Sequence, residues 1–214
     1  MTRYITWEGD SLTAAASGYP NGGPANWANN YAQEGQAFTI NGNFAIANAV
    51  IGTRIDNFGD HSNCIWGRAD LVEAAFVPGT FNLLVVMIGK NTNQDITNRN
   101  SMFAYHDYMA NVGYVVVGCT ITPSNVSDPT SGWTQRDNAF NTAIRNSVGT
   151  HIVDCIDFAA HPIMGNDNAP VVYAGTLYAD ATHPTSTGYK YLSIISYRVL
   201  ETLITPGSRN LRLA

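Results

Sequence analysis

Along this chain, short apolar runs alternate with longer segments in which apolar residues recur every three or four positions. A run of four to eight branched and aliphatic residues suits a strand buried on both faces, whereas a period of three to four suits a helix with one apolar side. The runs predict strands near Tyr4–Trp7, Phe44–Val50, Asn82–Ile88, Tyr114–Thr120 and His151–Ile156. The clearest helical stripe is Tyr189, Leu192, Ile195, Val199 and Leu203, which follows a Ser/Thr-rich start and precedes Pro206-Gly207. Trp133, Phe140, Ile144 and Val148 form a second stripe, and Phe103, His106, Met109 and Val112 a third. All three are expected to face a core. Strand-sized runs alternating with helical segments predict an α/β fold, a three-layer α/β/α sandwich around a central, mainly parallel five-stranded sheet. No internal repeat or linker divides the sequence, so residues 1–214 read as a single domain.

The long polar segments fall after the carboxyl ends of the strands: Tyr19–Asn30, Gly89–Asn100, Thr122–Trp133 and His161–Ala179. In an open parallel sheet that edge is where ligands bind, and loops of such length in a compact domain usually carry function.

Composition narrows the partners. At 214 residues the chain can bury roughly 70% of its unfolded surface without a metal or disulfide scaffold. Its three cysteines include no CxxC pair, and Cys119 and Cys155 sit in apolar runs, so buried structural thiols are expected and no metal site. With 11 Lys+Arg against 16 Asp+Glu and no basic cluster, nucleic acid and anionic lipid are excluded as partners. The apolar stretches are strand-sized, so neither a transmembrane span nor a signal peptide is expected. Charged residues are only 13% of the chain and polarity is carried by Asn, Thr, Ser and Gly, a composition that leans extracellular or virion-associated.

Four places carry chemistry. Gly9-Asp10-Ser11-Leu12 follows the first predicted strand, which exposes Ser11 at the strand's carboxyl end with its N–H free to face a bound acyl oxygen. The same four residues also fit a turn with a helix-capping serine. Asp180-Ala181-Thr182-His183-Pro184 precedes the terminal helical stripe. A serine hydroxyl is a poor nucleophile until an imidazole takes its proton, and the imidazole needs a carboxylate to hold its tautomer. The three-residue spacing lets one loop present both. Gly52, at the end of Ala49-Val50-Ile51-Gly52, and Asn91, in Ile88-Gly89-Lys90-Asn91, are candidate donors for an oxyanion, although each also reads as a turn residue.

A serine after the first strand, a glycine after the second, an asparagine after the third and a late DxxH together resemble the SGNH hydrolases, also called GDSL esterases and lipases. The resemblance spans nearly the whole chain and implies a flavodoxin-like arrangement of the sheet. It implies Ser11 as nucleophile and oxyanion donor, Gly52 and Asn91 as further donors, His183 as general base and Asp180 as its orienting acid, with no metal or organic cofactor. One block departs from the family's GxND pattern: Thr92 stands where the Asp is usual. That Asp is not a triad member, so the change bears on loop geometry more than on catalysis.

Several residues compete with this assignment. Asp157 and His161-Pro162 mimic the acid–base segment at a spacing of four, without a long helix behind them. Asp10 adjoins Ser11, but neighbours on a turn point apart, so a backbone-bonding role is expected. His61, His106 and His151 have no partner that the sequence assigns, and His106 lies on an apolar stripe. Lys90 is expected to be exposed and solvated. Asn125-Val126-Ser127 matches a glycosylation acceptor, a pattern too common to use.

The expected activity is two-step hydrolysis of an ester with a short acyl group, acetyl by preference, carried on a carbohydrate. No loop after a strand has the apolar pattern of a lipase lid, while Tyr19, Trp27, Trp133, Tyr173 and Tyr178 lie among Asn, Thr and Ser as rings that suit stacking on sugars, or alternatively anchor their own loops. The alternatives are a generalist short-chain esterase, thioesterase or lysophospholipase, and a non-catalytic carbohydrate-binding or virion-attachment domain on the same scaffold.

Overall fold

Every residue of the segment Phe81–Met87 is buried, as a strand must be when helices cover both faces of its sheet. In the computed structural model, which describes residues 3–13, 43–47, 49–50, 53–55, 64–92, 94–124 and 132–204, with only the backbone of 43–47 and 132–136, this strand is the centre of the sheet. The strands are β1 (Arg3–Gly9), β2 (Asn43–Ala47), β3 (Phe81–Met87), β4 (Val115–Cys119) and β5 (Asp154–Ile156). They run parallel in the order β2-β1-β3-β4-β5. This is the flavodoxin-like order, whose crossover direction reverses between β1 and β3 and opens a crevice at their carboxyl ends.

The five α-helices of the described residues are α1 (Ala69–Ala74), α2 (Ile96–Val112), α3 (Gly132–Asn146), α4 (Ala169–Val172) and α5 (Ser186–Ile204). Alternation along β3 splits the core in two. Leu83, Val85 and Met87 join Ile5 and Trp7 of β1 against Tyr189, Leu192 and Leu200 of α5. On the other face Leu84 and Val86 meet Val72 of α1, Met102, Tyr105 and Met109 of α2, and Phe140 and Ile144 of α3. The expected three-layer α/β/α sandwich is therefore the observed one.

Local signals account for the best-defined helix. The side chain of Asp95 accepts the Asn98 N–H at the start of α2 (2.9 Å), and Gly113 ends it in the left-handed region at φ 117°. Its buried stripe is Met102, Tyr105, His106 and Met109, whereas Phe103 and Val112 only flank the core. Val148 lies beyond the end of α3 and is 41% exposed, because the chain turns at Ser147, whose carbonyl accepts the N–H groups of Thr150, His151 and Ile152. The same turn shortens β5 relative to its predicted span. Among the described residues no helix is long and apolar enough to cross a membrane.

Candidate active site

The site begins where β1 runs out. Gly9 pairs with Met87, and a side chain there would collide: a Cβ would lie 2.1 Å from the Met87 carbonyl oxygen and 2.2 Å from Thr13 Oγ1. Only glycine lets the turn close against β3. Asp10 then organises that turn. Its buried carboxylate accepts the Leu12 N–H (2.9 Å) and the Lys90 N–H (3.4 Å), its carbonyl accepts the Thr13 N–H (3.0 Å), and Thr13 Oγ1 donates to the Met87 carbonyl (3.0 Å). Burial pushes the Asp10 carboxyl up to about 6, against the two N–H bonds and the charge of Lys90. The expected backbone-bonding role of Asp10 is what its contacts describe.

Ser11, at the apex, lies with Oγ 3.0 Å from His183 Nε2. His183 Nδ1 is 2.9 Å from Asp180 Oδ2 and 3.2 Å from Oδ1. Asp180 Oδ1 also accepts the backbone N–H groups of Thr182 (2.8 Å) and His183 (2.7 Å). Burial would raise the Asp180 carboxyl, but the bonds from the His183 N–H, the His183 ring and the Thr182 N–H hold it below the usual carboxylate range. It therefore stays ionised beside the imidazole. The loop is braced from behind: Ala179 N–H donates to the His183 carbonyl (2.8 Å), Thr185 N–H to the Leu177 carbonyl (2.8 Å), and the Tyr178 hydroxyl to the Met164 carbonyl (2.8 Å). Residues 172 positions apart in sequence are thus brought within one hydrogen bond.

Across the turn stands the third block. Asn91 is exposed at the end of β3, and its Nδ2 donates to the Thr53 carbonyl at 3.3 Å. Gly52 lies outside the described residues. Its described neighbours are tied down: Val50 N–H donates to the Gly9 carbonyl (3.1 Å), and Thr53 N–H to the Val50 carbonyl (3.2 Å). Thr92, the departure from the family pattern, is buried, and its hydroxyl accepts the Ile55 N–H at 2.8 Å. A threonine oxygen thus closes the loop.

Burial overturns one expectation and decides between two readings of another residue. Lys90 is not a solvated lysine: Nζ donates to Asp137 Oδ2 (2.6 Å) and to the Thr122 carbonyl (2.7 Å), with both side chains of the pair at most 7% exposed. Burial lowers the Lys90 ammonium below its ordinary value against the pull of Asp137. Gln94 Nε2 completes the network, donating to Asp137 Oδ1 (2.8 Å) and the Gly89 carbonyl (3.0 Å). Tyr178 is fully buried with its hydroxyl engaged, so it anchors its own loop and is no surface for a sugar ring. Tyr173 is half-buried, while Tyr19, Trp27 and the side chain of Trp133 lie outside the described residues.

The described competing histidines, His106, His151 and His161, do not assemble a second site. His161 Nδ1 accepts the N–H groups of Ile163 (3.3 Å) and Met164 (3.1 Å). Asp157 is engaged by Arg145 through Nε (2.7 Å) and Nη2 (2.9 Å), by Thr120 Oγ1 (3.0 Å) and by the Ala160 N–H (3.2 Å). His106 is wholly buried and burial pushes it down to about 3, so it is neutral. His151 pairs with Asp107 at 2.9 Å, and His61 lies outside the described residues. The cysteines are free thiols, and burial raises Cys119 and takes Cys155 to about 12, so neither is a thiolate near neutrality.

No family sequence model and no curated protein sequence matches the chain. Solved structures do. A lipase/acylhydrolase from Enterococcus faecalis superposes with a TM-score of 0.64 at 18% identity, covering 96% of this chain and 98% of that one. A GDSL-like lipase from Bacteroides thetaiotaomicron gives 0.63 at 14%, covering 94% and 89%. An acetyl xylan esterase gives 0.63 at 15%, covering 92% and 99%. At such identities the likeness is one of fold, and its extent over both chains leaves no large part of the architecture unmatched. The chain has the fold of the GDSL/SGNH lipases and acylhydrolases.

Proposed function

We propose that the chain is a serine ester hydrolase in which Ser11 is the nucleophile, His183 the general base and Asp180 its orienting acid. The observation that carries this reading is the unbroken line from Ser11 Oγ to His183 Nε2 to Asp180, at 3.0 and 2.9 Å. Ser11 Oγ attacks the ester carbonyl as His183 Nε2 takes its proton, and Asp180 stabilises the imidazolium. The collapsing tetrahedral intermediate expels the alcohol, which leaves with the proton from His183. Water, deprotonated by His183, then attacks the acyl-enzyme and releases the acid, and the proton returns to Ser11 Oγ. The negative oxygen of each intermediate needs donors aimed at it before the reaction begins. The backbone N–H groups of Ser11 and Gly52 and the amide of Asn91 are assigned that role.

The substrate proposed is a short acyl ester, acetyl by preference, on a carbohydrate. Support comes from the Asn, Thr and Ser content of the loops at the sheet's carboxyl edge, and from the acetyl xylan esterase among proteins of the same fold. The exposed apolar pair in the 161–179 segment, Val171 and Val172, occupies a single helical turn and offers no broad surface to aggregated lipid. The test compares acetate release from acetylated oligosaccharides with hydrolysis of octanoyl and longer esters at matched concentrations. A higher specificity constant for the long chains would make the carbohydrate assignment wrong while leaving the serine chemistry standing.

A further inference from the structure

Beside Thr53 lies an ion pair that the Ser–His–Asp line does not use. Glu8 of β1 and Arg68, in the turn before α1, are joined through Oε1 and Nη2, with their side chains 0% and 5% exposed. By strand alternation Glu8 points away from the α5 layer, towards α1 and α2. Burying such a pair is costly unless the remaining polar atoms are also satisfied. Here Glu8 Oε2 and Arg68 Nε have no partner among the described residues, and burial pushes the Glu8 carboxyl above its ordinary value against the adjacent guanidinium. The pair is a poor source of stability, so its contacts indicate what it holds in place.

They lead to Thr53. Arg68 Nη1 donates to Thr53 Oγ1 at 2.7 Å, and that hydroxyl donates in turn to the Val50 carbonyl at 2.7 Å. The Thr53 hydroxyl is thus held between the guanidinium and the Val50 carbonyl, which also accepts the Thr53 N–H at 3.2 Å. The Thr53 carbonyl then faces Asn91 Nδ2 at 3.3 Å. A primary amide has two N–H groups, and the torsion that turns it is broad when nothing holds it. Engaging one N–H on a fixed carbonyl sets the amide plane and commits the second N–H to a single direction. The neighbouring bond from Ile55 N–H to Thr92 Oγ1 keeps the two loops in register while this happens.

We propose that Arg68, held by Glu8, is a positioning residue that acts through Thr53 to aim the Asn91 amide. The proposal rests on the reading of Asn91 as an oxyanion donor, and its test separates the two. Thr53→Val removes the hydroxyl while keeping the branched shape, and Thr53→Ser restores it. Thr53→Val should lower kcat about tenfold with KM unchanged, the scale of one hydrogen bond that matters in the transition state, while Thr53→Ser stays near the parent. In an Asn91→Ala background Thr53→Val should lower kcat no further, because the group it aims is gone. An equal loss in both backgrounds, a change in KM alone or no loss at all would overturn the inference. A second arm needs no turnover: the Asn91 side-chain NH2 signals in a nitrogen-15 NMR spectrum, identified by their loss in Asn91→Ala, should move in Thr53→Val and stay in Thr53→Ser. Signals unmoved by Thr53→Val also overturn it. Hydrolysis that survives Ser11→Ala would instead remove the proposed function, with the NMR arm, run also on Arg68→Met, still deciding whether Arg68 and Thr53 aim the amide.

Discussion

Removing Asp137 should be among the most damaging single changes outside the Ser–His–Asp line. Its carboxylate is nearly fully buried and receives Lys90 Nζ on one oxygen and Gln94 Nε2 on the other. In Asp137→Ala the Lys90 ammonium keeps only the Thr122 carbonyl, and Gln94 keeps only the Gly89 carbonyl. Breaking a buried pair by deleting one partner destabilises by about 3–5 kcal/mol, a large part of the roughly 5–15 kcal/mol that holds a domain together. Removing both charges at once should restore most of that loss, so Lys90→Met/Asp137→Leu is expected to be more stable than Asp137→Ala. Urea unfolding followed by circular dichroism, with midpoints and slopes compared across parent, single and double variants, measures both differences. If Asp137→Ala lies within about 1 kcal/mol of the parent, the lysine reaches solvent and the buried network is not what holds the loop carrying Asn91.

His183→Ala should abolish hydrolysis whereas His161→Ala keeps most of it, because His161 Nδ1 is occupied by the Ile163 and Met164 N–H groups; steady-state rates of the two variants check this, and the reverse order would relocate the base. Asp10→Asn should remove a pH dependence of stability. With its carboxyl raised to about 6 by burial, the folded chain binds a proton there that the unfolded chain has already released, so this contribution is present below about pH 4 and lost as pH rises through 6. Unfolding midpoints from pH 4 to 7 should show parent minus variant falling over that range, and a flat or rising difference would contradict it. Gly9→Ala should fold poorly, since its methyl meets the Met87 carbonyl oxygen, and thermal denaturation gives the loss directly.

The sequence disclosed what is local or periodic. β3 and α5 were readable because their apolar residues run or recur without interruption, and Ser11, Asp180 and His183 because each sits in a short block beside a strand or helix end. What it concealed depends on partners far along the chain. Lys90 reads as solvated until Asp137, 47 residues on, is folded over it. Arg68 belongs to no recognisable block, and it meets Asn91 only through Thr53, whose hydroxyl it holds at 2.7 Å and whose carbonyl accepts from Asn91 Nδ2 at 3.3 Å. Tyr178 looked like a loop ring because its neighbours are polar, yet its hydroxyl finds the Met164 carbonyl and the ring goes inside. The single turn of α4, with proline at its start, is too short to show a period. A buried lysine could have been suspected from its setting between Ile88-Gly89 and a polar loop, but no pattern names its partner.

The central claim is that Ser11 is an activated nucleophile. The direct measurement is intact-protein mass spectrometry after treatment with an alkyl phosphonate that reacts only with such serines. The account predicts a single covalent adduct per chain, mapped by peptide digestion to Ser11, formed slowly or not at all in His183→Ala and absent in Ser11→Ala. An unmodified parent chain, as a non-catalytic domain on this scaffold would give, or an adduct on another residue, would contradict it.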